Sequence, residues 1–478
     1  MLFNSISFAI FLPIIFAVYW FLTPRNHRAQ NIILLLSSYY FYGSWDWRFL
    51  GLLAFSTALD YFSGLKIHNA KSDTSRKTWL FLSVGINLGF LGWFKYYNFF
   101  VDSFASLLST AGFEANIPTL NVILPIGISF YTFHGLSYVF DIYNRRIVPS
   151  TNIVEYSLFV SFFPLLVAGP IERATHLLPQ IERPRIFKYS TATDGLRQML
   201  WGFFKKIVIA DNCAQYANLT FEDPSSHSAS TLLVGAIFFA FQIYGDFSGY
   251  SDIALGTARL FGFELLKNFA FPYFSRDIAE FWRRWHISLS SWFKDYLYFP
   301  LGGSRGGKYK SLRNTLIIFA VSGFWHGANW TFIVWGVYHG LLFVPLLLLG
   351  KNRRNTNTVA QGKIIPSIYE LIQMITTFVL VVIGWIFFRS ESIEKAFVYI
   401  AGILNKSLLS MPLHTKYHTT MLLVTIMIAV EWFGRHNDHA LQLQKVKFSV
   451  VRWACYLAIF MVCLANFKQN QEFIYFQF

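Results

Sequence analysis

The sequence predicts an all-α protein that crosses a membrane about ten to twelve times, and three observations carry that prediction. Of 478 residues, 54% are hydrophobic and only 14% charged, whereas a soluble domain carries about a quarter charged residues. Too little polar surface is left to face water on every side. Apolar runs long enough to cross about 30 Å of hydrocarbon recur along the whole sequence, and short basic clusters separate them.

The first run extends from Ser5 to Leu22 and leads into Pro24, Arg25, His27 and Arg28. No small-residue cleavage site follows it, so it reads as an uncleaved span ending in the cytoplasm. Further runs lie near 31–65, 78–100, 120–140, 153–170, 196–218, 230–262, 312–331, 332–350, 368–388, 418–433 and 449–466. Gly43, Asp46 and Arg48 interrupt the 31–65 run, which predicts two shorter elements there. No repeat or separate soluble domain is visible, so the chain is read as one membrane domain with a catalytic core near 120–350. A last helix with an aromatic tail follows at 449–478.

The formal charge is +15, from 40 Lys and Arg against 25 Asp and Glu. A basic balance by itself fits a nucleic-acid binder. In so apolar a chain it is assigned instead to cytoplasmic loops that touch anionic headgroups of membrane lipids, and no nucleic-acid partner is expected. The basic clusters fall between spans, at Lys66 to Lys77, Arg173 to Lys188, Arg305 to Arg313, Lys351 to Arg354 and Arg435 to Arg452. The last cluster precedes the final span, which places both ends of the sequence on the far side of the membrane. Cys455 and Cys463 stand eight apart on one expected helix, about 12 Å, too far for a disulfide. No zinc-type spacing occurs, and no bound metal or cofactor is expected.

Two polar interludes break the pattern. Residues 172–190 read as a cytoplasmic loop or surface helix. Residues 275–313 are too polar for a span and too aromatic for a loop; such backbone is tolerated at membrane depth only where protein or a water-filled cavity surrounds it. The chemistry is sought there. His286 follows Trp282, Arg283, Arg284 and Trp285 and sits among aromatics, while Glu280 and Arg284 are spaced to pair at i,i+4. His326 lies in a second aromatic motif, with Trp325 before it, Gly323 and Gly327 flanking it, and Asn329 and Trp330 after. An ionisable group in an apolar run is a functional candidate by default, and imidazole suits general-base work near neutral pH.

Three further motifs are weaker. Gly245 and Gly249 form a GxxxG that predicts close helix packing. Asp246 and Asp252 lie about 240° apart around a helix, so they form no carboxylate dyad and read as structural or cavity-lining. Residues 302–309 approach a phosphate loop, but Tyr309 stands where the magnesium-binding hydroxyl belongs; a basic loop remains, in which Arg305 and Lys308 could meet donor phosphates. Tyr475, within the aromatic 473–478 segment, is either part of an interfacial anchor or a mobile nucleophile.

Together, the stretch from Tyr244 to Asp252, the segment from Trp282 to Ser304 and the one from Phe324 to Trp330 resemble the membrane-bound O-acyltransferase superfamily. Within it they are most similar to the branch that acetylates alginate, peptidoglycan and cellulose. The resemblance implies a ring of helices around a central tunnel with re-entrant segments. It also implies that His326 is the principal catalytic histidine and His286 the second. The 473–478 segment resembles a motif whose tyrosine is proposed to carry the acyl group, which here is Tyr475. Trp282, Arg283, Trp325 and Asn329 are the expected substrate contacts around the histidines.

The function expected on this basis is transfer of acetyl from cytoplasmic acetyl-CoA, used as a substrate, through a bacterial inner membrane for O-acetylation of an extracytoplasmic glycan. A periplasmic acetyltransferase is the other expected partner. The competing readings are a transporter or flippase of lipid-linked sugars, and a lipid or protein acyltransferase with long-chain donors.

Overall fold

A computed structural model describes the chain except for residues 25, 114–117, 121–122, 168, 413–416, 444–445, 468–472 and 475–478. Helix accounts for 74% of the described residues, and no strand occurs among them. The all-α prediction holds. The chain packs as two compact units, one of Met1–Leu2, Ile6–Lys188 and Phe261–Leu265, the other of Phe3–Ser5, Tyr189–Leu260 and Leu266–Phe478.

In the first unit α1 (Ile6–Ala17) continues through a π-helical turn, Val18–Leu22. It is followed by α2 (His27–Gly43), α3 (Leu50–Asn69), α4 (Asp73–Leu91), α5 (Tyr97–Thr110) and α6 (Ile128–Tyr143). The break between α2 and α3 falls where Gly43, Asp46 and Arg48 predict it. The 153–170 run is not one span. Pro164 has no N–H to give the preceding turn, and α7 (Ile153–Ser161) gives way at Phe162 to the single turn α8 (Phe163–Leu166), which carries the proline at its start. α9 (Ala174–Ile181) lies in the polar interlude.

Buried polar groups tie these helices together. Asp60 of α3 accepts hydrogen bonds from Ser83 (2.6 Å) and Asn87 (2.8 Å) of α4. Arg185 donates to Tyr19 Oη (2.6 Å), Asn31 Oδ1 (2.7 Å) and the Ile181 carbonyl (2.9 Å).

The second unit opens with α10 (Tyr189–Phe203), a π-helical stretch Phe204–Ala210, and α11 (Asp211–Glu222). α12 (Ala229–Leu260) is a single helix of 32 residues, about 48 Å long. The predicted GxxxG lies on its seam with α10 and the π stretch. A Cβ on Gly249 would stand 2.7 Å from the Gly202 carbonyl oxygen, and one on Gly245 would stand 2.8 Å from that of Lys205. That closeness is open only to glycine. The 275–313 interlude becomes α13 (Ile278–Arg284), α14 (Ile287–Phe293), the π turn Lys294–Tyr298 and a loop.

Next come α15 (Lys308–His326), α16 (Trp330–Leu348), α17 (Ile368–Arg389), α18 (Ile393–Ile403), α19 (Tyr417–Gly434) and α20 (Ser449–Ala465). A capping box of Ser367 and Glu370 starts α17, satisfying two orphan N–H groups reciprocally. α18 lies outside the predicted runs. Its 11 residues are too few to span, and a polar connection separates it from α17.

Among the described helices, α12, α16, α17 and α19 are long and apolar enough to cross a membrane, and Ile6–Leu22 and Ser449–Ala465 are shorter apolar helices. Several predicted runs are divided by short breaks of helix, which a reading of hydropathy alone does not register. The 312–331 run also ends sooner than expected: α15 stops at His326, so this histidine terminates a helix instead of lying within one.

Candidate active site

The site is built in the second unit from three pieces of backbone. The extended stretch around Asn268 runs beside the junction of α13 and α14. Ala270 N–H donates to the Arg284 carbonyl (3.0 Å), and Ile287 N–H donates to the Asn268 carbonyl (2.9 Å). α13 is fixed at its start by Asp277, whose carboxylate accepts from Glu280 N–H at 2.7 Å. Its flank is fixed by Glu280, which pairs with Arg276 (3.0 Å) and with Arg284 (2.9 Å), the latter as the i,i+4 spacing predicts. Held at both ends, the junction bends so sharply that His286 has φ 44° and ψ 53°. A left-handed backbone is uncommon for a residue with a side chain, and strain of this kind concentrates at functional sites.

His286 is buried, and its Nδ1 lies 3.0 Å from Asn268 Oδ1. The orientation of that amide is set by its other bonds. The Ser288 N–H, which can only donate, reaches the same Oδ1 (3.4 Å), and the two hydroxyls fit that orientation: Ser288 Oγ donates to Oδ1 (2.9 Å), while Asn268 Nδ2 donates to Ser251 Oγ (3.2 Å). An amide oxygen only accepts, so Nδ1 of His286 carries the proton and Nε2 keeps its lone pair. Among the described residues, that buried Nε2 has no hydrogen-bond partner.

His326 comes from the opposite direction, at the end of α15. α15 and α16 cross closely there: a Cβ on Gly323 would meet the Phe332 carbonyl oxygen at 2.2 Å, and one on Gly336 would meet that of Phe319 at 2.2 Å. The crossing sets the His326 ring 5.0 Å from Trp335, 4.9 Å from Trp325 and 5.5 Å from Phe388. The centroids of His326 and His286 are 6.3 Å apart. A direct ring-to-ring hydrogen bond needs a separation of about 5 Å, so the spacing suits one oxygen atom bridging two nitrogens.

A third histidine belongs to this cluster. His339 of α16 is fully buried, 5.2 Å from Trp335 and 5.1 Å from Trp282. Neither of its ring nitrogens has a hydrogen-bond partner among the described residues. It lies in an apolar run, the same signal that marks His326, and sequence reasoning passed over it.

The remaining expected site residues divide. Trp325 lies 6.0 Å from His286 and contacts both histidines, and Trp282 walls His339. Asn329 is committed elsewhere: its Oδ1 caps α16 by accepting from Thr331 N–H (3.0 Å), and its Nδ2 reaches the Glu391 carbonyl (2.9 Å). Arg283 is exposed and donates to the Asn352 (2.8 Å) and Asn355 (2.7 Å) carbonyls. Its Cα is at most about 11 Å from that of His286, three residues on. Arg305 and Lys308 are exposed as well, but α15 separates Lys308 from His326 by 18 residues, about 27 Å. Tyr475 lies outside the described residues. Among those residues, no group of three or more His, Cys, Asp and Glu is placed to hold a metal ion.

Residues 34–385 match the family model of the membrane-bound O-acyltransferases, a stretch that holds all three histidines. The chain belongs to this family. As a membrane-bound O-acyltransferase it has relatives across most of its length. It is 39% identical over 444 residues to the "probable alginate O-acetylase" of Azotobacter vinelandii, covering 90% of this chain and 84% of the relative. It is 32% identical over 527 residues to the peptidoglycan O-acetyltransferase of Helicobacter pylori, covering 100% and 98%. A teichoic acid D-alanyltransferase of Streptococcus thermophilus is 30% identical over 235 residues, 45% of this chain and 55% of that one.

The chain is therefore a multi-pass membrane O-acyltransferase.

Proposed function

We propose that this O-acyltransferase takes acetyl from cytoplasmic acetyl-CoA and delivers it to hydroxyl groups of an extracytoplasmic polysaccharide of the alginate or peptidoglycan kind, in a bacterial inner membrane. The observation that carries the reading is the His286–His326 pair, 6.3 Å apart in a box of aromatic rings. The names of the relatives supply the acetyl group and the glycan. Each teichoic acid relative bears a D-alanyl transferase name, so an acyl group moved onto a glycan is common to all of them.

In this mechanism His326 is the general base. The acceptor oxygen adds to the thioester carbonyl carbon as His326 takes its proton. The C–S bond then breaks and the leaving thiolate recovers that proton. The products are an O-acetyl ester and a free thiol, with no net proton released. With Tyr475 as the first acceptor the sequence runs twice, and the glycan hydroxyl attacks the tyrosyl ester in the second round. A covalent relay splits one hard step into two easier ones.

His286 has two expected roles, orienting His326 and polarising the carbonyl. Its tautomer favours the first, since an Nε2 lone pair accepts a hydrogen bond and gives none. Both rings are buried, so an acyl group reaches them only when covering side chains move. Dry surroundings protect the thioester from hydrolysis.

Purified protein incubated with labelled acetyl-CoA is expected to release thiol and to acetylate an added glycan. Movement of a glycan across proteoliposomes with the donor left intact would establish the transporter reading in its place. Preference for a long-chain donor over acetyl would establish the lipid or protein acyltransferase.

A further inference from the structure

The mechanism uses two of the three clustered histidines and leaves His339 idle. This ring is fully buried on α16, 5.2 Å from Trp335, 5.1 Å from Trp282 and 6.5 Å from Trp385. Both of its nitrogens, and the indole Nε1 of each of those three tryptophans, are buried with no hydrogen-bond partner among the described residues. A polar atom in that state has lost its water and gained nothing in return, and a phenylalanine or leucine would fill the space without that cost. Several unanswered polar atoms in one aromatic box mark a place kept for a polar ligand.

Their chemistry describes that ligand. An indole N–H only donates, whereas a neutral imidazole donates from one nitrogen and accepts on the other. The box therefore offers several donors and one lone pair. An amide answers both, since its carbonyl oxygen accepts and its N–H donates. A hydroxyl has the same two faces, and the position of the box decides between them.

Trp335 stands between two imidazoles, edge-on to His326 at 5.0 Å. His339 follows it by four residues, about 6 Å further along α16, toward the end that leads into Lys351, Arg353 and Arg354. A basic cluster of this kind is retained on the cytoplasmic side. Trp282, which walls His339, is followed by Arg283, whose guanidinium donates to the Asn352 and Asn355 carbonyls of that same basic connection. His339 is thus on the donor's side of His326, and the glycan hydroxyl arrives from the other. In acetyl-CoA, four bonds separate the thioester carbon from the nearest amide nitrogen of the pantetheine arm, about 5 Å when extended. That length is close to the rise from Trp335 to His339.

We propose that His339 and the indole N–H groups of Trp282, Trp335 and Trp385 form a subsite for the amides of the donor's pantetheine arm, one helical turn to the cytoplasmic side of His326. This rests on the reading of acetyl-CoA as the donor.

Equilibrium dialysis of the full-length protein with labelled pantetheine, which has the amides and no acyl group, tests the subsite directly. Wild type is expected to bind it, and His339→Phe, which keeps a ring in the box, to bind it about five- to tenfold more weakly, the worth of a hydrogen bond or two. The melting temperature of that variant should not fall, because no orphan imidazole is buried in it. With S-acetyl-N-acetylcysteamine, a donor that carries one amide, His339→Phe should raise KM by a similar factor and spare kcat. With S-ethyl thioacetate, which carries none, it should change neither. His339→Gln keeps a donor and an acceptor and should restore most of the binding. If His339→Phe does not fold, Trp385→Phe carries the test, with a loss of about two- to threefold expected for one N–H. Pantetheine bound equally by wild type and variants, or a KM raised alike for both donors, would overturn the proposal and leave the donor reading standing. A wild type that binds neither pantetheine nor acetyl-CoA would remove both.

Discussion

Buried polar groups in the Ile6–Lys188 part of the molecule and those around α13 to α16 are of the same chemical kinds, yet they are answered to different degrees. In the first region the charged groups Arg185 and Asp60 are answered, while His134 Nδ1, Ser63 Oγ and Tyr156 Oη have no hydrogen-bond partner among the described residues. Arg185 has an acceptor on every nitrogen, and Asp60 is held by a serine and an asparagine. His134 accepts from the Glu172 N–H at 3.1 Å. In the second region His286 keeps a buried Nε2 without a partner, and His339 keeps two such nitrogens. Satisfied groups fix helices in register; groups held dry and open are ready for a substrate atom. His134, with one ring nitrogen answered and the other not, is bonded much as His286 is, so what sets the second region apart is the His326 ring 6.3 Å from His286.

The comparison predicts that lesions in the two regions fall on different measurements. His326→Ala should cost about 10²–10⁴ in transfer rate, the usual worth of a positioned general base, with membrane abundance and thermal stability unchanged. A stable, active variant would assign His326 to packing. Arg185→Ala should do the reverse. It strands several buried acceptors, each costing about 1–3 kcal/mol, so the melting temperature should fall steeply while transfer per folded molecule stays near wild type. Equal loss on both measurements would erase the distinction between the regions.

A smaller effect sharpens the boundary within the site. Asn268→Ala leaves His286 in place but removes the acceptor that fixes its tautomer, and kcat is expected to drop about tenfold, the scale of second-layer partners. Asn268→Asp keeps an acceptor on Nδ1–H and should recover most of that loss. If the alanine variant is fully active, the protonation of His286 does not matter to the reaction.

What could be read from the sequence follows the range of the interactions involved. His286 and His326 were legible because an ionisable ring among apolar and aromatic neighbours is a local signal. His339 carries that same signal, and nothing physical hid it. Asn268 was not legible: it lies 18 residues before His286, and only the folding back of the 268–270 stretch makes it a partner. Asn329 looked like a substrate contact by its place beside the histidine motif, yet the helix start at Trp330 takes up its side chain. Composition predicted the helical class, but the split of the 153–170 run falls beside Pro164, a detail that a hydropathy average does not register.

Arg305 and Lys308 give the smallest predicted effect. The glycine-rich loop around them suggests contact with donor phosphates, and 18 residues of helix set Lys308 about 27 Å from His326. Arg283 is at most about 11 Å of chain from His286. Exposed charges gain little from one another beyond about 8–10 Å at ordinary salt, so donor phosphates that rest nearer Arg283 than the far end of α15 make Arg283 the larger contributor. Arg283→Ala should therefore raise donor KM several-fold, by about 1 kcal/mol of lost binding, and Arg283→Lys should recover only part of it because the planar fork is lost. Lys308→Ala should leave donor KM within about twofold. If Lys308→Ala has the larger effect, the donor's phosphates rest at the far end of α15, and its thioester arm must reach along the whole helix to the histidine pair.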